Sequence, residues 1–222
     1  MQVYRVTEKF VSINGEGRKA GELSCFVRFA GCNLCCNYCD TRWSCDPDAP
    51  HEDLSAEEIA YWVRETGVKN VTLTGGEPML QPEFATLLAV LREEAKSEIE
   101  VETNGSIPID PAVHFKPGVF YTMDLKCPGS GMAEHNCYEN LSYLRPEDVV
   151  KFVVSDREDL IWTKEKIKEY DLTTRCLVYI SSVFGRITPA EIVDFMKEKE
   201  MNDVRLQLQL HKYIWDPMAR GV

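Results

Sequence analysis

Short β-rich runs recur along this chain at Tyr4 to Val11, Ser24 to Phe29, Asn70 to Thr74, Ile99 to Thr103, Val119 to Leu125, Val149 to Val154, Cys176 to Ser181 and Val204 to Leu210. Between several of them lie stretches with helical spacing, and each starts with a recognisable signal. Ser55 followed by Glu58 forms a capping box with Ile59, Trp62 and Val63 on one face, and Thr188, Pro189 and Glu191 repeat that logic. A third helix follows Pro82 and buries Phe84, Leu87, Leu88 and Leu91; a fourth runs from about Ser155 to Tyr170 with Leu160, Ile161 and Ile167 inward. Strand and helix alternate, which predicts a mostly parallel sheet of seven or eight strands. At 222 residues the chain falls short of the ~250 typical of a complete eightfold barrel, and the Gly105 to Gly118 connection is too short and Pro-punctuated for a long crossover helix. The expected fold is therefore α/β: an incomplete TIM-like barrel, mostly parallel, with few helices. No repeat, low-complexity tract or linker interrupts it, so a single domain is expected over residues 1–222.

Charge and hydropathy exclude two classes of partner. The chain carries 25 Lys+Arg against 36 Asp+Glu, a net charge of −11, which repels a phosphate backbone, so no nucleic acid is expected. No run approaches the ~18 consecutive apolar residues of a membrane span, and the start lacks a signal-peptide apolar region, so a cytoplasmic location is expected with no membrane partner. In such a reducing compartment the nine cysteines serve as ligands, nucleophiles or core rather than disulfides. Four fall within eight residues: Cys32, Cys35, Cys36 and Cys39. Two three-ligand spacings are available, through Cys36 or through Cys35, and the first is preferred; adjacent thiolates can hardly both face one cluster corner, so Cys35 is left out. A tight loop offering three thiolates to a four-iron cluster leaves one iron open for chemistry. A zinc site would usually need a second cysteine knuckle, which this sequence lacks. Cys45, Cys127 and Cys137 are too unevenly spaced to suggest a second cluster, and Cys25 and Cys176 read as strand core. The segments Asn14 to Gly17, Cys32 to Thr41, Gly75 to Pro78, Asn104-Gly105 and Lys126 to Gly131 all follow predicted strands, so they are expected to share one face of the sheet.

Cys32, Cys36 and Cys39 with Tyr38 before the last form C-x3-C-x-aromatic-C, which resembles the radical S-adenosylmethionine (SAM) superfamily. Thr74-Gly75-Gly76-Glu77-Pro78 resembles that superfamily's SAM-binding turn, where two glycines let a ligand approach the main chain and Glu77 offers an acceptor for an ammonium. Ser12-Ile13-Asn14-Gly15-Glu16-Gly17, Phe26-Val27-Arg28-Phe29-Ala30-Gly31 and Cys39-Asp40-Thr41 narrow the resemblance to the 7-carboxy-7-deazaguanine synthases. That family contracts a carboxylated tetrahydropterin to a deazapurine with loss of ammonia.

The resemblance implies a four-iron four-sulfur cluster on Cys32, Cys36 and Cys39, a SAM site at Tyr38, Asp40, Gly76, Glu77, Asp124, Lys126 and Ser182, and Mg²⁺ on Thr41. It further implies substrate contacts from Ile13, Asn14, Gly15, Glu16, Arg28, Thr74, His211 and Pro217, with Glu16 on the ring nitrogens and Arg28 on the carboxylate. The chain departs from relatives at Asp124-Leu125-Lys126, where many carry Ser-Pro-Lys, at Ser181-Ser182-Val183-Phe184, where others have Gln-Pro-Met-Asp, and beyond His211. A flavodoxin- or ferredoxin-type electron donor and a homodimer accompany this reading. The rival readings are a glycyl-radical-enzyme activase and a non-catalytic iron–sulfur electron-transfer or sensing protein; the Asn14 to Gly17 loop, Arg28 and Thr41 speak against both.

Overall fold

The computed structural model describes residues 2–114 and 116–222. Nine strands form one sheet: β1 (Tyr4–Ile13), β2 (Leu23–Phe29), β3 (Glu52–Leu54), β4 (Asn70–Gly75), β5 (Glu98–Thr103), β6 (Val119–Asp124), β7 (Val149–Val154), β8 (Leu177–Ser182) and β9 (Val204–Gln207). Their order is β3-β1-β2-β4-β5-β6-β7-β8-β9. β1 is antiparallel to β2 and β3, and every pairing from β2 to β9 is parallel. The sheet curls without closing. Its ends are brought together by side-chain and loop bonds, Gly17 N–H to Gln207 Oε1 at 2.7 Å and Leu210 N–H to the Gly15 carbonyl at 3.0 Å. This is the incomplete barrel expected from the alternation.

Helices α1 (Ala56–Thr66), α2 (Phe84–Glu94), α3 (Pro111–His114), α4 (Arg157–Glu169), α5 (Pro189–Glu198) and α6 (His211–Ile214) complete the order. Both expected capping boxes are formed, at Ser55 with Glu58 and at Thr188 with Glu191, satisfying orphan N–H groups. Among the described residues the only helix between β5 and β6 is the four-residue α3, as the short connection requires. No helix among the described residues is long and apolar enough to cross a membrane.

The strands alternate in chemistry. Val71 and Leu73 of β4, Ile99 and Val101 of β5, Tyr121 and Met123 of β6 and Phe152 of β7 join one core cluster with Ile59 and Val63 of α1 and Leu87, Leu88 and Leu91 of α2. Fully burying each such aliphatic side chain contributes roughly 1.5–3 kcal/mol. The intervening positions, Thr72, Thr74, Glu100, Glu102, Thr122, Asp124, Lys151 and Ser181, turn the other way and line the concave side. Register aligns them, since Arg28 pairs with Thr74, Thr72 with Glu100, Glu102 with Thr122 and Asp124 with Lys151.

Three expectations need correction. β3 was not anticipated, because its residues Glu52, Asp53 and Leu54 show no alternation and join the sheet by backbone pairing to β1 alone. β9 stops at Gln207 rather than Leu210, whose N–H is drawn off to Gly15. Ile161 is 45% exposed: α4 presents Leu160, Thr163 and Ile167 to the sheet, and Ile161 sits one step round the helix.

Candidate active site

The carboxyl ends of β2 and β4 to β8, with the inner face of the antiparallel β1, surround a cavity of about 390 Å³. Because β1 runs the other way, the Asn14 to Gly17 segment leaves its strand at the opposite end from the other loops, not at the same face as expected. The cysteine loop after β2 forms one wall. Cys32, Cys36 and Cys39 line the cavity, whereas Cys35 is exposed and lies outside it. The loop is pinned by Cys32 N–H to the Cys45 carbonyl at 2.9 Å, Arg42 to the Cys36 carbonyl at 2.9 Å and Asn37 N–H to the Ser130 carbonyl at 2.9 Å. Hydrogen bonding from the Cys45 thiol, whose one S–H serves either neighbour, lowers Cys32 and Cys39 and so favours the thiolate, the form that ligates iron. Burial pushes Cys36 up. Tyr38 donates its hydroxyl to the Val153 carbonyl at 2.9 Å, tying the loop to β7.

The turn after β4 packs under this loop. Gly76 N–H donates to the Phe29 carbonyl at 3.1 Å and Glu77 N–H to the Gly31 carbonyl at 2.8 Å; a Cβ on Gly76 would collide with that Gly31 oxygen, which is why the position takes glycine. Glu77 is 0% exposed and does not line the cavity. Its carboxylate accepts from Met79 N–H at 3.0 Å, Thr103 Oγ1 at 2.8 Å and Asn104 N–H at 2.7 Å. Burial nonetheless raises it to about 7. The expected ammonium acceptor is thus a knot joining the turn to β5, and the surface offered to a ligand is the backbone of Gly75 and Gly76.

The floor is polar and charged. Glu16 accepts from Lys151 Nζ at 3.3 Å, Ser181 Oγ at 3.3 Å and Gln209 Nε2 at 3.4 Å. Lys151 also reaches Asp124 at 3.4 Å, which pairs with Lys126 at 2.7 Å. Burial would lower Lys126, but the Asp124 carboxylate holds it up. Arg28 donates Nε to Glu8 at 2.7 Å and lies 5.9 Å over the Trp43 ring, and its terminal nitrogens make no hydrogen bond among the described residues. Phe10 and Phe26 stack with centroids 4.9 Å apart, adding a flat apolar face. Asn14 is buried away from the cavity: it donates to Glu100 at 2.9 Å and accepts from Thr72 at 2.8 Å, tying the loop to the barrel base.

The segment from His211 onward crosses the mouth. A Cβ on Gly15 would strike the His211 ring, so this glycine allows the first and last loops to touch. Lys212 donates to Asp40 at 2.8 Å, and Arg220 stacks over Trp43 at 4.1 Å. Pro217 lines the opening.

Of the residues singled out from the sequence, Ile13, Gly15, Glu16, Arg28, Cys32, Cys36, Tyr38, Cys39, Asp40, Thr41, Thr74, Gly76, Asp124, Lys126, Ser182, His211 and Pro217 line this one cavity. Asn14 and Glu77 support it from behind. Sequence reasoning missed Glu102 and Lys151. Lys151 carries a legible signal, a charge inside an otherwise apolar strand, whereas Glu102 is one of three glutamates in β5; Cys45, set aside as a cluster ligand from the sequence, has its Sγ 3.7 Å from that of Cys39.

Three thiols and a glycine-backbone ledge at the open end of an incomplete barrel define a radical SAM protein, and the sequence model described as the radical SAM superfamily matches residues 26–128. A 7-carboxy-7-deazaguanine synthase of Clostridium acetobutylicum is 51% identical over 219 residues, covering 99% of each chain. The synthase of Chlorobaculum tepidum is 38% identical, covering 98% of this chain and 96% of its own. The crystal structure of QueE from Escherichia coli shares the fold with a TM-score of 0.72 at 18% identity, covering 93% of each chain. The chain belongs to the 7-carboxy-7-deazaguanine synthase family.

Proposed function

We propose that this cavity converts 6-carboxy-5,6,7,8-tetrahydropterin to 7-carboxy-7-deazaguanine with release of ammonia, the ring contraction that leads to 7-deazapurines such as queuosine. The observation that carries the reading is the joint placement of the cysteine loop with Glu16, Arg28 and Thr74 on one small cavity, in a chain matched end to end by relatives of that name. Neither rival, an activase or a cluster protein without substrate, finds support.

The thiols of Cys32, Cys36 and Cys39 fit a four-iron cluster, two of them being predisposed to ionise and all three facing the cavity. When bound, the cluster and SAM supply an organic radical that takes a hydrogen from the substrate. The chain binds and orients. The Gly75-Gly76 backbone, Tyr38, Asp40, Asp124, Lys126 and Ser182 would hold SAM. The free edge of Arg28 would grip the substrate carboxylate. Glu16 would accept from the ring N–H groups, Ile13, Gly15, Thr74 and His211 would flank the ring, and the 211–222 segment would exclude water. For Mg²⁺ the donor set is thin, Thr41 being the single assigned oxygen. Mg²⁺ would therefore bind only with the substrate carboxylate. The exposed side of the cysteine loop, at Cys35, Arg42 and Arg186, is where a flavodoxin- or ferredoxin-type donor would approach.

The test is anaerobic turnover of reconstituted enzyme with dithionite, SAM and 6-carboxytetrahydropterin, with and without Mg²⁺, read by mass spectrometry. Deazaguanine product supports the reading. SAM cleavage without product moves the substrate elsewhere, and no cleavage returns the protein to the electron-transfer class.

A further inference from the structure

Lys151 is a buried cation of the cavity that the roles above leave unused. It interrupts the apolar β7 sequence Val149-Val150-Lys151-Phe152-Val153-Val154, and its side chain is 9% exposed. Such a cation is costly to bury unless carboxylates surround it. Here they come from three other segments: Glu16 at 3.3 Å from the β1–β2 loop, Asp124 at 3.4 Å from β6, and Glu102 of β5, whose charge also helps hold Lys151 well above its ordinary value. These partners are not equivalent. Asp124 has its own ammonium in Lys126 at 2.7 Å, whereas the other bonds to Glu16 come from the neutral Ser181 and Gln209.

We propose that Lys151 is a positioning residue for substrate: it fixes the Glu16 carboxylate from below so that its open side meets the N–H edge of the pterin ring. The inference rests on the reading of Glu16 as the ring-nitrogen acceptor. Its consequence is selective, because loss of Lys151 frees Glu16 while Asp124 keeps Lys126, so the pterin subsite suffers and the SAM subsite does not.

The experiment is steady-state kinetics on K151M, K151R, E16Q and the K151M/E16Q double variant, with iron–sulfur absorbance and thermal melting to confirm loaded, folded enzyme. K151M is expected to raise KM for the pterin at least tenfold and KM for SAM less than threefold. K151R, which keeps the cation, restores the pterin KM to within threefold. In the E16Q background K151M adds less than twofold, because the residue through which it acts is gone. Equal rises in both KM values, failure of K151R to rescue, or multiplicative effects in the double variant overturn the proposal. Should K151M not fold, K151Q replaces it and is read the same way. A wild-type enzyme that makes no deazaguanine overturns the functional reading itself; a wild type that turns over beside a K151M with unchanged pterin KM overturns only the role of Lys151.

Discussion

The two faces of the barrel strands differ by one residue in sequence and by almost everything in chemistry. On β4, Val71 and Leu73 belong to the apolar core beneath the helices, while Thr72 and Thr74 face the concave side. On β5, Ile99 and Val101 alternate with Glu100 and Glu102. The buried strands of a parallel sheet usually read as continuous apolar runs. Here one parity has been given to polar groups, so half of each strand supports stability and half supports chemistry. Burial alone does not separate them: Leu73 and Glu100 are both essentially inaccessible. The difference lies in partners. Leu73 needs only close packing, whereas Glu100 needs Asn14 at 2.9 Å, Arg18 N–H at 3.2 Å and Thr122 at 2.5 Å.

This division can be broken at its outer face. Leu73→Ala should destabilise the protein by about 2–5 kcal/mol, through lost transfer energy and the cavity left behind. With ~2–4 °C per kcal/mol for a chain of this size, the melting temperature should fall by roughly 4–20 °C. The pterin KM of the enzyme still folded should stay within twofold; a larger change would mean that the two faces are not independent.

The inner face should reveal itself by pH. Burial raises Glu77 and Glu100 to about 7, above the ordinary glutamate value of 4.5 that describes the unfolded chain. In the window between those values the folded state binds protons that the unfolded state has released, so stability rises as pH falls. In the metal-free protein the lowered Cys32 and Cys39 thiols act in the opposite sense over the same range, so the carboxyl contribution is read as a difference: the melting temperature of wild type minus that of Glu100→Gln should increase from pH 8 to pH 6. A difference that shrinks over that range would refute the raised value of Glu100.

The smallest effect belongs to the periphery. Ser55→Ala removes the hydroxyl that accepts from Glu58 N–H at 3.2 Å at the start of α1, and should cost about 1 kcal/mol, or ~2–4 °C, with kcat unchanged. A measurable loss of turnover would show that the helical layer communicates with the cavity.

Much of this architecture was legible in the chain. Capping boxes announced α1 and α5, and the β-rich runs located eight strands to within a few residues, because caps and alternation are local signals. The cysteine loop and the glycine turn were legible as motifs, and the structure brings them to one cavity. What motifs could not convey is which atoms are already satisfied. Glu77 and Asn14 sit in the right segments, yet their polar atoms are spent on Thr103, Asn104, Thr72 and Glu100, partners up to 86 residues away. Lys151 and Glu102 were visible as charges within strands, but their meaning depends on register between β5, β6 and β7, which no single run encodes. β3 offered no pattern, since backbone pairing to an edge asks little of side chains.

The bond from Gly17 to Gln207 spans 190 residues, and Glu16 is completed by Gln209. A ribosome making this chain finishes the cysteine loop well before the wall that Gln207 and Gln209 complete. The thiols of a nascent chain are therefore made before the chamber that encloses them.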